Sequence, residues 1–139
     1  MKNTIVRTLV TLGLSAVLSP VALLAQDRMT AEIPFDFSIG AKTFSAGEYS
    51  VKRVNEHVLM IQSIKDGEGI YASVLPSDAT KNGGSPVLLF NRYGDSYFLS
   101  KVSGDDRGWK LFPSPREKEL VGKVASPKPV VVVAALRSK

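Results

Sequence analysis

The chain has 139 residues, of which 44% are hydrophobic and 22% are charged, and its formal net charge is +5 at pH 7. The lysines and arginines are spread along the sequence, so no basic cluster indicates a nucleic-acid partner. The chain contains no cysteine, which excludes disulfides, thiolate metal ligands, thiol catalysis and covalent haem attachment.

Residues 1–25 have the pattern of a signal peptide. Lys2 and Arg7 form a positive start, Leu9–Leu24 is an uncharged and mostly apolar run, and Ala25 offers a small residue for cleavage. A retained membrane anchor is the alternative, but the uncharged run is short for the ~20 residues that a spanning helix needs. We therefore predict a signal-peptide helix and an exported protein, periplasmic or extracellular. Membrane contact is expected only through this segment, if it is not cleaved.

Residues 26–126 are predicted to form one β domain, which begins with a series of short strands. Ala31–Ile39 alternates apolar with polar residues, as a half-buried strand does. Pro34 indicates an edge strand or the first pairing positions of a strand, because proline cannot donate to a ladder. Glu48–Val54 alternates in the same way, and Val58–Ile64 is a strand with a strong apolar bias. Further strands are predicted at Ile70–Leu75 and Trp109–Phe112. Pro76–Pro86 is rich in turn-forming residues and is predicted to be a loop.

Val87–Val102 is predicted to be a central β-hairpin. Two runs rich in β-branched and aromatic residues flank Gly94 and Asp95, and glycine at the first position of a two-residue loop suits a type II′ turn. That turn sets the register, in which the facing pairs are Tyr93 and Ser96, Arg92 and Tyr97, Phe90 and Leu99, and Val87 and Val102. Both faces of the hairpin are largely apolar, so we expect other elements to cover both of them.

The pattern changes near the C-terminus. Ser114 and Glu117 have the spacing of a capping box, which predicts a helix over Pro115–Val124. The apolar stripe of this helix is expected at Leu120, Val121 and Val124. Residues 127–139 form an apolar tail, in which Val130–Leu136 is predicted to be a closing strand or a segment that docks on a partner.

Together these segments predict an all-β fold. About seven or eight short strands, with turns at intervals of roughly 8 to 12 residues, are typical of a small antiparallel β-sandwich or β-barrel. One short C-terminal helix completes this domain, and the signal-peptide helix precedes it.

Three segments of the chain resemble a known family. They are IPFDFSIGAKTFSAGEYSV (Ile33–Val51), LLFNRYGDSYFLSKV (Leu88–Val102) and PSPREKEL (Pro113–Leu120). Together they are similar to motifs shared by small exported β-rich proteins of acidobacteria and related soil bacteria. The resemblance covers most of residues 30–122. It implies export and a β fold, and it implies no activity, ligand or cofactor.

The sequence predicts no catalytic, metal or cofactor site. His57 is the only histidine, and it stands in a polar turn. Neither a G-x-S-x-G elbow nor a second histidine at metal-binding spacing accompanies it. The protein is therefore predicted to be non-enzymatic.

Four residues are candidate contacts for a ligand or partner: Arg92, Tyr97, Lys101 and Trp109. On the predicted register Arg92 and Lys101 share an apolar face with Tyr97, and this face could hold an anionic or aromatic ligand. The alternative is that the two stems cover apolar surface while their charged ends reach solvent. Trp109 fits either a contact at a loop edge or a place in the core.

These observations favour an exported non-enzymatic β domain with a binding or assembly role in the cell envelope. Its partner would be an envelope protein or a second copy of the chain, recruited by strand addition through Val130–Leu136. The alternative is a small-molecule carrier, which requires a closed barrel and a cavity of at least ~300 Å3.

Overall fold

The computed structural model describes residues 28–80, 84–123 and 126–137, and within them the chain is all-β, as predicted. The strands are β1 (Arg28–Ile33), β2 (Phe37–Ile39), β3 (Lys42–Phe44), β4 (Gly47–Asn55), β5 (Val58–Ser63), β6 (Gly69–Asp78), β7 (Val87–Tyr93), β8 (Ser96–Ser103), β9 (Arg107–Leu111), β10 (Lys128–Val133) and β11 (Ala135–Arg137). The helix is α1 (Pro115–Lys123). The predicted signal peptide, residues 1–25, lies outside the described residues. Within the described residues, no helix is long and apolar enough to cross a membrane.

The described strands number eleven, more than the predicted seven or eight, and three of them have only three residues. The prediction of a single strand over Ala31–Ile39 was wrong, because β1 ends at Ile33 and β2 begins at Phe37. Pro34 lies in this break, where its missing N–H costs no ladder hydrogen bond. The Asp36 side chain then accepts a hydrogen bond of 2.9 Å from the backbone N–H of Ala46, which ties the break to the turn after β3.

The strands form a single mixed sheet that is not closed by hydrogen bonds among the described residues. Its strand order is β10-β7-β8-β9-β6-β5-β4-β1-β11. Outside this order, β2 pairs with β8, and β3 pairs with β2. The sheet was predicted to be antiparallel throughout, but Ser38 of β2 pairs with Phe98 of β8 in parallel. The two end strands, β10 and β11, are consecutive in the chain.

Strand β6 changes partners halfway along its length. Gly69–Ser73 pairs with β5, whereas Val74–Asp78 pairs with β9. The predicted loop Pro76–Pro86 was therefore wrong in its first three residues, because pairing with β9 keeps the chain extended through Asp78. The switch brings Trp109 of β9 into the same core cluster as the buried residues of β1, β4 and β5.

The central hairpin of β7 and β8 has the predicted two-residue loop, with Gly94 at a positive φ of 62°, and the predicted pairs lie next to it. Farther from the turn the prediction that Val87 faces Val102 was wrong. A β-bulge at Ser100 shifts the register by one residue, so Leu89 faces Lys101 and Leu88 faces Val102. Both faces are covered, as expected, because residues on each face are buried: Leu88, Phe90 and Leu99 on one, and Val87, Tyr93 and Phe98 on the other.

Helix α1 begins as predicted, because the Ser114 hydroxyl accepts a hydrogen bond of 3.1 Å from the backbone N–H of Glu117. The predicted apolar stripe was wrong for Val121, which is exposed, while Leu120 is half-buried and Val124 lies outside the described residues. The buried residue of the helix is Glu117, whose carboxylate accepts a hydrogen bond of 3.5 Å from the Asn91 side chain on β7. The helix therefore contacts the sheet through a polar residue of its first turn.

The C-terminal segment forms the two ends of the sheet. β10 pairs with β7, and β11 pairs with β1. Between them Ala134 is buried, and its backbone N–H donates a hydrogen bond of 2.9 Å to the carbonyl oxygen of Pro86. Of the two predicted roles for Val130–Leu136, the structure shows strands within the chain's own sheet.

Candidate binding cleft

An open cleft of about 250 Å3 lies between the turn that joins β8 to β9 and strands β1, β4, β5 and β11. Its floor is apolar and consists of Met29, Val51, Leu59, Trp109 and Leu136. Its rim is charged and consists of Arg53, Asp105, Asp106 and Arg107, together with Gly104. The cleft thus combines an apolar floor with a few polar groups at its mouth, which is the usual composition of a binding site.

The floor is set by the register of three neighbouring strands. Met29 of β1 faces Val51 of β4 on one side and Leu136 of β11 on the other. Cross-strand neighbours point to the same face of a sheet, so these three side chains form one apolar row. Met29 and Val51 are buried, whereas Leu136 is 45% exposed and forms the accessible end of the row.

The rim is built around the turn between β8 and β9. The backbone N–H of Gly104 donates a hydrogen bond of 2.9 Å to the carbonyl oxygen of Arg107, which closes a turn with Asp105 and Asp106 at its tip. Arg53 reaches the mouth from β4, where it faces Leu59 of the floor. The rim therefore presents two guanidinium groups and two carboxylates, so it can meet a ligand head of either charge.

Trp109 joins the floor to the core. Its side chain is only 7% exposed and packs in the core cluster, yet it lines the cleft. A β-carbon at Gly104 would lie 3.7 Å from Trp109 Cζ3, so the glycine leaves this edge of the indole open. The sequence left two roles open for Trp109, a core residue or a contact residue. In the structure Trp109 is a core residue that also lines the cleft.

The other three candidate residues lie outside the cleft. The Arg92 guanidinium stands 5.4 Å from the centroid of the Tyr97 ring, and its Nε donates a hydrogen bond of 2.8 Å to the Gly94 carbonyl oxygen. Tyr97 in turn stacks on Phe35 with a centroid distance of 3.9 Å. The structure therefore brings Arg92 and Tyr97 together.

Lys101 does not join them. The bulge at Ser100 turns it to the opposite face, where it faces Leu89 and Lys110. The prediction that Arg92 and Lys101 share one face was therefore wrong, and they do not form a common pocket.

Tyr97 also borders a second, more polar depression of about 190 Å3. It is lined by Asp36, Phe37, Ser38, Thr43, Asp95, Ser96, Tyr97 and Arg116. No group of three or more histidines, aspartates or glutamates in the described part of the chain is placed to hold a metal ion. The sole histidine, His57, is exposed in the turn between β4 and β5.

Among the described residues, three groups have shifted pKa values, and none of these three lines the cleft. Burial raises the pKa of Tyr49, with smaller contributions from nearby carboxylates. Burial also raises the pKa of Tyr93, and the charge of Glu117 adds to that effect. The pKa of the Glu117 carboxyl is raised by burial and lowered in part by the hydrogen bond from Asn91.

Most of the cleft was not identified from the sequence, which singled out only Trp109. Met29, Arg53 and Leu136 belong to three different strands, and no local pattern marks them as neighbours. No family model, no curated protein and no solved structure matches the chain. Its function is therefore argued from the geometry of the cleft.

Proposed function

We propose that this chain is an exported, non-enzymatic binding domain of the cell envelope and that the cleft is its binding site. The observation that carries the proposal is the apolar floor of Trp109, Met29 and Leu136 beneath a charged rim. Among the residues that the structure describes, those lining the cleft include no histidine, serine, threonine, tyrosine or lysine. That composition favours binding over catalysis by an activated hydroxyl or amine.

The size of the cleft limits what it binds. Pockets that enclose a drug-sized ligand measure about 300 to 1,000 Å3, and the cleft, at about 250 Å3, is smaller and open to solvent. It fits one apolar or aromatic group that carries a charged head. A side chain at the surface of an envelope protein has this chemistry, and it is the partner that we propose.

A small-molecule carrier is the second candidate, and the place of Trp109 in the floor is the observation that favours it. Two of its expected features are not met, because the sheet is not closed by hydrogen bonds among the described residues and the cleft, at about 250 Å3, is smaller than the expected ~300 Å3. Indole rings bind flat aromatic ligands well. However, the interior elsewhere is filled by side chains of the core cluster, among them Phe37, Phe90 and Tyr49. The carrier proposal therefore depends on the same open cleft and on a small ligand.

Fluorescence provides a direct test, because Trp109 is the only tryptophan of the chain. The purified protein is titrated with L-phenylalanine, phenylacetate and phenethylamine, which share a phenyl ring and differ in the charge of the head. We expect a saturable change in Trp109 emission with at least one of them, and the preferred head shows whether the arginines or the aspartates dominate. No saturable change with any of the three would overturn the proposal.

A matched pair of variants locates the binding. Leu136 and Leu75 are similarly exposed, at 45% and 49%, but only Leu136 lines the cleft. We expect Leu136→Ala to weaken binding by about 3- to 10-fold, because it removes roughly 1 kcal/mol of apolar contact. Leu75→Ala should leave the affinity unchanged. Equal losses in the two variants would place binding elsewhere on the molecule.

A further inference from the structure

One row of side chains crosses five neighbouring strands, from β10 through β7, β8 and β9 to β6. Each member of the row faces the next one in the register of the sheet, and in this order they are Val131, Leu89, Lys101, Lys110 and Leu75. Side chains that face each other across neighbouring strands lie on the same face of a sheet. Neighbouring strands are about 4.8 Å apart, so the row is about 19 Å long. It places two lysines side by side between apolar residues.

The row points away from the core and is open to solvent. The residues that alternate with it along β7, β8 and β9 belong to the core cluster, and they are Leu88, Val102 and Trp109. Val131 and Leu75, at the two ends of the row, are 51% and 49% exposed. Lys110 is exposed, and the remaining two members are half-buried. The lysines and the apolar ends are therefore accessible to a partner at the same time.

The two lysines repel each other without compensation from the described residues. Lys101 and Lys110 face each other across β8 and β9, where facing β-carbons are about 4.5 to 5.5 Å apart. The salt bridge found in the described part of the chain joins Lys42 to Glu68, so neither lysine of the row is paired with a described carboxylate. A β-carbon at Gly108 would lie 2.8 Å from Lys101 Cε, so the stem of Lys101 reaches across to β9. Like charges at facing positions destabilise a sheet, and an anionic partner removes that cost.

The row has a boundary on each side. On one side helix α1 covers the hairpin, because Glu117 accepts a hydrogen bond from Asn91. On the other side the segment after β6 crosses the face, because the backbone N–H of Thr80 donates a hydrogen bond of 2.7 Å to the Ser103 hydroxyl. Asn91 and Ser103 each stand two residues from the row, so the two boundaries are about 13 Å apart. The row is thus the floor of a trough that admits a segment of polypeptide and, because α1 stands above the sheet, excludes a flat surface.

We propose that this trough binds a segment of another protein in which acidic side chains stand between apolar ones. The carboxylates of the partner pair with Lys101 and Lys110, and its apolar side chains cover Val131 and Leu75, which are otherwise in water. Residues 1–26 contain no aspartate or glutamate, so the N-terminal segment of this chain does not have the required charge. None of the five residues of the row lines the cleft, so the proposal does not rest on the proposed function.

Binding is measured by fluorescence anisotropy with labelled peptides and the purified protein. The probe is a short peptide in which valine and leucine flank two central glutamates on each side, and matched peptides carry glutamine or lysine at the centre. We expect saturable binding of the glutamate peptide, weaker binding of the glutamine peptide and no binding of the lysine peptide. Added salt should weaken binding of the glutamate peptide, because exposed ion pairs are screened.

Matched variants locate the peptide on the molecule. We expect K110E to raise the dissociation constant of the glutamate peptide by about 3- to 10-fold. K65E changes the net charge equally and should leave the affinity unchanged, because Lys65 is exposed in the turn between β5 and β6. Val131→Thr keeps a β-branched side chain but removes apolar contact, so it should weaken binding, whereas Val54→Thr on β4 should not. Leu136→Ala should have no effect on this peptide, which separates the trough from the cleft.

Urea unfolding of the free protein provides an independent check. Lys110→Gln removes the repulsion between the lysines, so it should raise the unfolding midpoint while it weakens peptide binding. A lower midpoint would remove the argument for an anionic partner. Three binding results would also overturn the proposal: no saturable binding of the glutamate peptide, equal losses of affinity in K110E and K65E, and equal affinities for the glutamate and lysine peptides. A loss in Leu136→Ala as large as that in K110E would place the peptide in the cleft instead.

Discussion

Glu117 combines two positions with opposite demands on its charge. It lies in the first turn of α1, where the helix dipole favours a carboxylate. It is also only 5% exposed and faces β7, where the Asn91 amide and the buried Tyr93 ring are its neighbours. Burial outweighs the hydrogen bond from Asn91, so the pKa of the Glu117 carboxyl is raised above its ordinary value.

That shift predicts how stability depends on pH. Because the pKa of Glu117 is raised in the folded state, the protonated carboxyl contributes to the free energy of unfolding. This contribution is fully present below the pKa of the unfolded state and is lost as pH rises through the pKa of the folded state. Glu117→Gln keeps an amide oxygen for Asn91 and removes the charge. The variant should therefore gain free energy of unfolding relative to the wild type at pH 7, and less or none of this gain should remain at pH 4. Urea unfolding at the two pH values measures it.

Glu119 provides the control on the same helix, since it is exposed. Glu119→Gln should change the free energy of unfolding by a similar small amount at both pH values. We expect Glu117→Gln to raise the free energy of unfolding more at pH 7 than at pH 4. If the change is the same at both pH values, burial of the carboxylate does not limit stability.

Trp109 and Lys101 show what single residues reveal in a sequence. Trp109 was predicted as either a contact or a core residue, because its size favours burial and its position favours a loop edge. Lys101 was placed on the wrong face, since its orientation depends on a bulge and not on its own chemistry. The type of a residue therefore helps to predict whether it is buried. It does not predict which residues it contacts, because the pairing of the strands decides that.

At the scale of the elements, the hairpin of β7 and β8 shows how far a turn fixes the register. Gly94 correctly predicts the pairs nearest the turn, because a two-residue loop allows only a few geometries. Beyond Phe90 the register depends on Ser100, which is accommodated as an extra residue and donates a hydrogen bond of 3.0 Å to the Leu89 carbonyl oxygen. The alternation of apolar residues did not show this bulge, because both faces of the hairpin are apolar.

The contact between β6, β8 and β9 predicts the effect of a small substitution. A β-carbon at Gly108 would lie 2.6 Å from the Asp78 carbonyl oxygen and 2.8 Å from Lys101 Cε. Gly108→Ala should therefore lower the free energy of unfolding by about 1 to 3 kcal/mol, the usual cost of overpacking. The measurement is chemical unfolding followed by circular dichroism.

Gly122 is the matched control. It lies in α1, and a β-carbon there meets nothing within 4 Å. Gly122→Ala should be neutral or stabilising by up to ~1 kcal/mol, because alanine is the better helix former. Equal destabilisation by the two substitutions would show that the close approach at Gly108 is not responsible.

For the molecule as a whole, the fold class could be predicted and the cleft could not. Short β-rich runs between turn residues identify an all-β chain, because each strand is a local pattern. The switch of β6 between β5 and β9 is not local, and neither is the separation of β10 and β11 to opposite ends of the sheet. The cleft depends on both, since Trp109 reaches it through β9 and Leu136 through β11.

The C-terminal segment should therefore be essential for folding, whatever its role in association. A chain that ends before Lys128 loses β10 and β11, and with them the buried Val132 and Ala134. Burial of one valine contributes about 1.5 to 3 kcal/mol, and a whole domain is stable by only about 5 to 15 kcal/mol. We expect the shortened chain to lose its cooperative urea transition and its near-UV circular dichroism. A chain that ends after Arg137 keeps both strands and should unfold like the wild type. A cooperative transition at an unchanged midpoint in the shorter chain would mean that β7 and β1 hold the core together without these two strands.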